Sequence, residues 1–212
     1  MTDTSLHPTP NQAGLAHGRG QPFHVETPHY VIRSLQAVDM TEEVVAWFNN
    51  PAMLAGLNLQ ALNFSLDGLR AFIASFDNRE NYFLGIFERE TGQLLGFYNF
   101  AMNLQHQTGT LNLGILPELK IGGPILWPTV EVVLEEFFQH RNVEKIKGMV
   151  LGSNRRMLFT LLMNKHFVHE LTLKQECQGI DGKRHDLLVF SCFKDASTRP
   201  QPVNPMPSFI KR

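Results

Sequence analysis

Residues 111–125 read Leu111-Asn112-Leu113-Gly114-Ile115-Leu116-Pro117-Glu118-Leu119-Lys120-Ile121-Gly122-Gly123-Pro124-Ile125. The segment begins inside a strand-type run, Gly109–Leu116, in which Thr110 and Asn112 alternate with Leu111 and Leu113. A short loop with two adjacent glycines then leads into a helix carrying Val130, Val133, Leu134, Phe137 and Phe138 on one stripe. Val143–Leu151 is again a strand, so the stretch predicts a β–α–β crossover and with it a parallel strand pair. Upstream, Tyr30–Leu35 reads as a strand. Thr41 caps a helix with Val44, Val45, Trp47 and Phe48 inward that ends near Asn50-Pro51, and a second helix opens at Ser65. Tyr82–Glu88 and Leu94–Asn103 form a hairpin across Arg89-Glu90-Thr91-Gly92-Gln93. Downstream, Asn154–Asn164 is a helix, and Val168–Gln178 and Arg184–Phe193 are paired strands. Hairpins interrupted by one crossover predict an α/β chain of the α+β type: a mixed, mostly antiparallel sheet with helices on both faces.

Composition narrows the class. The chain has 212 residues, room for one domain. Its 19 Lys+Arg balance 20 Asp+Glu, which excludes the basic excess of a nonspecific nucleic-acid binder. No window approaches the roughly 18 continuous apolar residues of a membrane span, and Met1–Gly20 lacks the apolar stretch of a secretion signal. Two cysteines, Cys177 and Cys192, give neither a disulfide framework nor a thiolate metal site. These features predict a soluble, cytoplasmic domain over residues 28–195. Residues 1–27 and the Pro-rich 196–212 have few apolar anchors and are expected to be flexible tails.

The Gly122-Gly123 pair at a helix start suits a phosphate, because tightly turned backbone and unpaired N–H groups meet there. An ordinary connection that needs glycine for its turn gives the same pattern. The junction and the strand order together resemble the GNAT acyltransferase superfamily over roughly Tyr30 to Phe193, in the style of the branch that acetylates ribosomal-protein N-termini. In that family a Gln/Arg-x-x-Gly-x-Gly/Ala loop holds the pyrophosphate of acetyl-CoA through backbone N–H groups. Lys120-Ile121-Gly122-Gly123-Pro124-Ile125 occupies this place, with Gly123 at the central glycine, Lys120 for Gln or Arg, and Ile125 for the final small residue. Pro124 removes one donor, and Pro128 makes the helix start irregular or late. The resemblance implies that main-chain groups of Leu113 and Ile115 meet the pantetheine arm. It also implies that Asn154 or Arg155, which compete for one role, lies beside the cofactor. Leu161–Phe167 is similar to the family's Lys-Leu-Gly-Phe helix end, with His166 at the glycine.

Chemistry in the resembled family is direct attack of an amine on a thioester, helped by a strand carboxylate as base and a helix tyrosine as acid. Here Gly109–Leu116 has no acid and Asn154–Asn164 no tyrosine. Asn112, orienting a water, and Tyr98, donating to a thiolate, are the candidates for the two roles; each also reads as an ordinary strand residue. His166-x-x-His169 has a metal-like spacing but no acidic or thiolate partner close in sequence, so no metal is expected. Arg141, Lys145, Lys147, Arg155 and Arg156 cluster around one strand, as a solvated face or toward the CoA ribose phosphate. The expected function is transfer of an acetyl group from acetyl-CoA to a primary amine, a peptide N-terminus or a small molecule, without nucleic-acid or membrane partners. The alternative is a binding module of the same fold that has lost catalysis. A third reading, transfer of a longer group, draws on the 16 Phe as cleft lining. Acceptor and oligomeric state are not readable.

Overall fold

The computed structural model describes residues 18–115, 123–179 and 181–198. Among these, the alternating run at the crossover forms strand β5 (Thr108–Ile115), and the apolar stripe after it forms helix α4 (Gly123–His140). The next strand is β6 (Lys145–Leu151), parallel to β5. Around this crossover lie β1 (His24–Glu26), β2 (Tyr30–Ser34), β3 (Asn81–Glu88), β4 (Leu94–Asn103), β7 (Val168–Gln178) and β8 (Arg184–Phe193). They make one eight-stranded sheet in the order β1-β2-β3-β4-β5-β6-β8-β7, with every pairing except β5–β6 antiparallel.

Helices cover both faces, each with its own apolar core. Helices α1 (Glu42–Phe48), α2 (Pro51–Gly56) and α3 (Leu66–Ala74) close one core, where Trp47, Phe48, Leu69 and Ile73 meet Phe83, Phe87 and Phe97 of the sheet. Its centre is aromatic: the Phe83 and Phe97 rings lie 4.8 Å apart and Phe48 stacks on Phe97 at 5.4 Å. On the opposite face α4 and α5 (Arg155–Leu162) bury Val130, Val133, Phe137, Leu158 and Leu161 against Tyr98, Phe100, Ile146 and Phe190. Pleating explains the division, since successive residues of one strand serve opposite faces: Phe97 enters the first core and Tyr98 the second. The phenylalanines read as possible cleft lining are largely the substance of these two cores.

Two local expectations change. His24–Glu26, placed in the tail from sequence, pairs with Ile32 and its neighbours as an edge strand. Phe23 just before it is buried against Phe137, and its N–H donates to Ser34 Oγ at 2.9 Å. Asn50-Pro51 ends α1 as expected but also starts α2, because Asn50 accepts from the Ala52 and Met53 amides and Pro51 stands in the first turn, where its missing N–H costs nothing. Three helices, not two, therefore separate β2 from β3. Pro128 does not delay α4, which starts at Gly123 and continues through it.

Candidate functional site

A parallel ladder joins β5 to β6 from Thr108↔Lys145 to Leu111↔Gly148 and then stops. Beyond that rung β5 stays paired with β4 as far as Gly96↔Ile115, while β6 stays paired with β8 as far as Leu151↔Leu187. Each strand follows its outer neighbour, so the two diverge. Among the described residues, the β6-facing groups of Asn112–Ile115 and the β5-facing groups of Met149–Leu151 have no partner in the β5–β6 ladder. Such unpaired edges inside a sheet invite an extended, hydrogen-bonding ligand. Gly148 stands at the throat of the wedge. Among the described residues a Cβ there would meet just the Leu111 carbonyl oxygen, at 3.9 Å. A glycine within an otherwise continuous strand run was the available sequence signal for this position.

Leu113 and Ile115 are half-buried, with side chains packed toward the α4-side core, so their backbone is what they offer the wedge. Ile125, in the first turns of α4, is 7% exposed and belongs to that core, so its bulk is directed into packing. Gly123 is the first residue of α4, which puts that helix's unpaired N–H groups at the segment connecting back to β5. Lys120, Ile121 and Gly122, the other expected phosphate-loop residues, lie outside the described residues.

Asn154 caps α5: its side-chain oxygen accepts from the Met157 amide at 3.1 Å, and its Nδ2 donates to the Gly56 carbonyl at 3.2 Å. Both ends of the amide are thus committed, tying the end of α2 to the β6–α5 junction. Asn58, at φ +54°, continues the strap by donating from Nδ2 to the Gln178 carbonyl at 3.2 Å. From sequence the Gly56–Asn63 loop is expected to help shape the acceptor site, but nothing local marks these long-range bonds, whose partners lie about a hundred positions away. Arg155 follows Asn154 as the first residue of α5.

The two candidate catalytic residues are placed very differently. Asn112 is exposed, on the α1–α3 side of β5, opposite Asn99 of β4. Tyr98 is 0% exposed, and its hydroxyl lies 2.7 Å from Thr129 Oγ1 and 3.3 Å from the Leu126 carbonyl. Thr129 directs its own hydroxyl hydrogen to the Ile125 carbonyl at 2.6 Å, so Tyr98 is the donor in their contact. Burial pushes the phenol well above its ordinary value, against a smaller opposite effect of the Thr129 contact. These contacts clasp β4 to α4. The clasp is set where Pro128 interrupts the helix hydrogen-bond ladder.

The remaining sequence candidates separate. His166 Nε2 lies 3.0 Å from Glu131, whereas His169 Nε2 lies 3.0 Å from Thr172 Oγ1. Among the described residues no three His, Cys, Asp or Glu side chains are grouped to hold a metal ion. Arg141 donates to Glu136 and the Gln21 carbonyl at the C-terminal end of α4, and Lys145 is paired with Glu170 at 2.7 Å. Cys177 and Cys192 are buried and form no disulfide; burial first, then Glu176, raises the Cys177 thiol, with Arg184 opposing. No helix among the described residues is long and apolar enough to cross a membrane.

The sequence matches no protein-family model and no curated protein. Solved structures share its architecture. The ribosomal-protein-S5-alanine acetyltransferase of Vibrio fischeri superposes with a TM-score of 0.71 at 17% identity, over 84% of this chain and 100% of that one. The spermidine N-acetyltransferase of Vibrio cholerae, solved with CoA and spermine, gives 0.68 at 18% identity, over 79% and 97%. A ribosomal L7/L12 α-N-protein acetyltransferase gives 0.69 at 13% identity, over 84% and 98%. The chain therefore has the GNAT acetyltransferase fold, as the sequence resemblance implied.

Proposed function

We propose that this chain is an acyl-CoA-dependent N-acyltransferase that moves an acetyl group from acetyl-CoA to a primary amine. The observation that carries the reading is the wedge between β5 and β6, which opens toward the end of β5 that precedes α4 in the chain. The backbone edge of Leu113–Ile115 suits the two amides of a pantetheine arm. The N–H groups at Gly123, with Lys120, Ile121 and Gly122 before it, suit a diphosphate. Likeness to acetyltransferases, one of them holding CoA and spermine, supports the same donor.

In the proposed reaction the neutral amine attacks the thioester carbonyl carbon, the C–S bond breaks, and the thiolate leaves as CoA. The proton lost by the amine passes to solvent through a water that Asn112 orients, and the thiolate is protonated from water. Much of the rate then comes from holding the reactants together, a term that needs no strong acid or base. Tyr98, Thr129 and Asn154 are assigned positioning roles, setting the starts of α4 and α5, and Arg155 is the candidate to meet the cofactor's charged end. The balanced net charge leaves nucleic acid without a footprint, and dependence on acetyl-CoA fits a cytoplasmic setting.

A thiol-release assay with acetyl-CoA against small amines and N-terminal peptides tests the reading, paired with thermal shift. At 100 times its dissociation constant acetyl-CoA should add about 2.7 kcal/mol of stability. Gly148→Val should keep the fold, given the space at its Cβ, and abolish that stabilisation; Gly148→Ala should behave nearly as wild type. Absence of both turnover and stabilisation overturns the proposal. Stabilisation without amine-dependent thiol release identifies the binding module instead, the outcome favoured by the lack of an acid on β5.

A further inference from the structure

A cavity of about 350 Å³ lies at the opposite end of α4 from the wedge. Its accessible apolar surface comes from Met102 and Leu104 at the end of β4, backed by the buried Tyr82, Phe137 and Val143. The Tyr82 and Phe137 rings meet edge to face at 5.1 Å. This volume falls in the range of small-molecule sites, roughly 300–1,000 Å³.

The walls are built rather than accidental. Gly20 approaches Asn78 so closely that a Cβ would lie 2.1 Å from its carbonyl oxygen, and the Gly20 amide donates to the Asp77 carbonyl at 2.8 Å. Arg141 holds the same strip from the other side. It donates to the carbonyls of Gln21 and Pro22 at 3.1 and 3.4 Å and to the Tyr82 hydroxyl at 3.4 Å, and its Nε lies 3.3 Å from Glu136. Glu136, the acid on the lining, is therefore already neutralised by Arg141. Arg79 is the charge left over. The Asp77 carboxylate accepts the backbone amides of Arg79, Glu80 and Asn81 at 2.8–2.9 Å, which fixes the loop, and no described residue pairs with the Arg79 guanidinium. His140 lines the same cavity, exposed at its rim, and gives the mouth a second group able to carry positive charge.

We propose that this cavity is a second binding site, for a small carboxylate with an apolar, ring-sized body held by Arg79 against the accessible side chains of Met102 and Leu104. A guanidinium matches a carboxylate in two parallel hydrogen bonds, and the half-buried rim weakens competition from water. The site shares no residue with the wedge, so its test is independent of the proposed reaction.

The experiment is methyl NMR on the full chain with labelled methionine, titrated with phenylacetate, 2-phenylethanol and benzyltrimethylammonium. Phenylacetate should move the Met102 resonance saturably, the alcohol should do so at least roughly tenfold more weakly, and the cation should leave it unmoved. Arg79→Gln should lower phenylacetate affinity by a similar factor while the buried Met40 resonance stays put, reporting an intact fold. If that variant loses dispersion, Leu104→Glu replaces it: Leu104 is exposed, and a negative charge at the mouth should abolish binding. The proposal is overturned if Met102 does not respond, if the cation moves it as well as the acid does, or if a folded Arg79→Gln or Leu104→Glu binds like wild type. A response at Met149, beside the wedge, without one at Met102 overturns it too.

Discussion

Replacing Tyr98 by phenylalanine separates two roles for its hydroxyl. The ring fills the same space in either residue, so no cavity forms. What goes is one buried donor reaching Thr129 Oγ1 at 2.7 Å and the Leu126 carbonyl at 3.3 Å. The Thr129 hydroxyl is not stranded, since it still donates to the Ile125 carbonyl at 2.6 Å. The loss should therefore be that of an ordinary net hydrogen bond, about 0.5–1.5 kcal/mol. For a chain of this length that is a fall of roughly 1–6 °C in Tm. A clasp predicts this fall in calorimetry and a kcat within a few-fold of wild type in thiol release. A general acid predicts the reverse, a kcat loss of about 10²–10⁴-fold with little change in Tm. A hundredfold drop in kcat at unchanged Tm would refute the clasp and restore Tyr98 to the chemistry.

Asn154→Ala removes both the cap on the Met157 amide and the tie to Gly56, and urea unfolding should show a loss of about 0.5–2 kcal/mol. Asn154→Asp keeps the cap acceptor but not the donor to Gly56, so it should recover most of that loss; equal loss in both variants would show the strap, not the cap, to be dominant. Acid sensitivity should come in two stages. Burial holds His169 below its ordinary value of 6.5, with a smaller opposite pull from the Leu171 backbone, so the unfolded chain binds the proton more readily and stability falls as pH drops below about 6.5. Burial alone would raise Glu170, but Lys145, Ser191 and Lys147 outweigh it and hold it below 4.5, so its contribution is present above that value and lost beneath it. His169→Gln should flatten the urea-midpoint profile between pH 7.5 and 5 and leave the lower stage intact; an unchanged upper stage would assign it to another group.

Much of the layout is legible because it rests on local physics. The stripe Val130–Phe138 and the alternation of Leu111 and Leu113 with Thr110 and Asn112 each have one way to bury apolar surface, and the structure uses it. His24–Glu26 escaped because three residues carry no periodicity; the strand exists through Phe23 being buried beside Phe137. At Asn50-Pro51 the same two residues stop one helix and start the next, and sequence reasoning took only the first meaning. The site is less legible for a different reason. Strand divergence after Leu111↔Gly148 depends on which neighbour each strand follows, a tertiary choice with no local imprint beyond Gly148 itself. Tyr98 was decipherable in principle, since Tyr98, Phe100 and Met102 alternate with Phe97, Asn99 and Ala101 and so mark an inward row of their own.

The four-rung β5–β6 ladder also acts as a hinge pin. Among the described residues no β5–β6 pairing lies beyond it, and the neighbouring elements are tied there by two asparagine side chains bridging to distant carbonyls. Positions 58 and 154 thus brace the flank of the wedge through side chains, outside the hydrogen-bond pattern of the sheet itself.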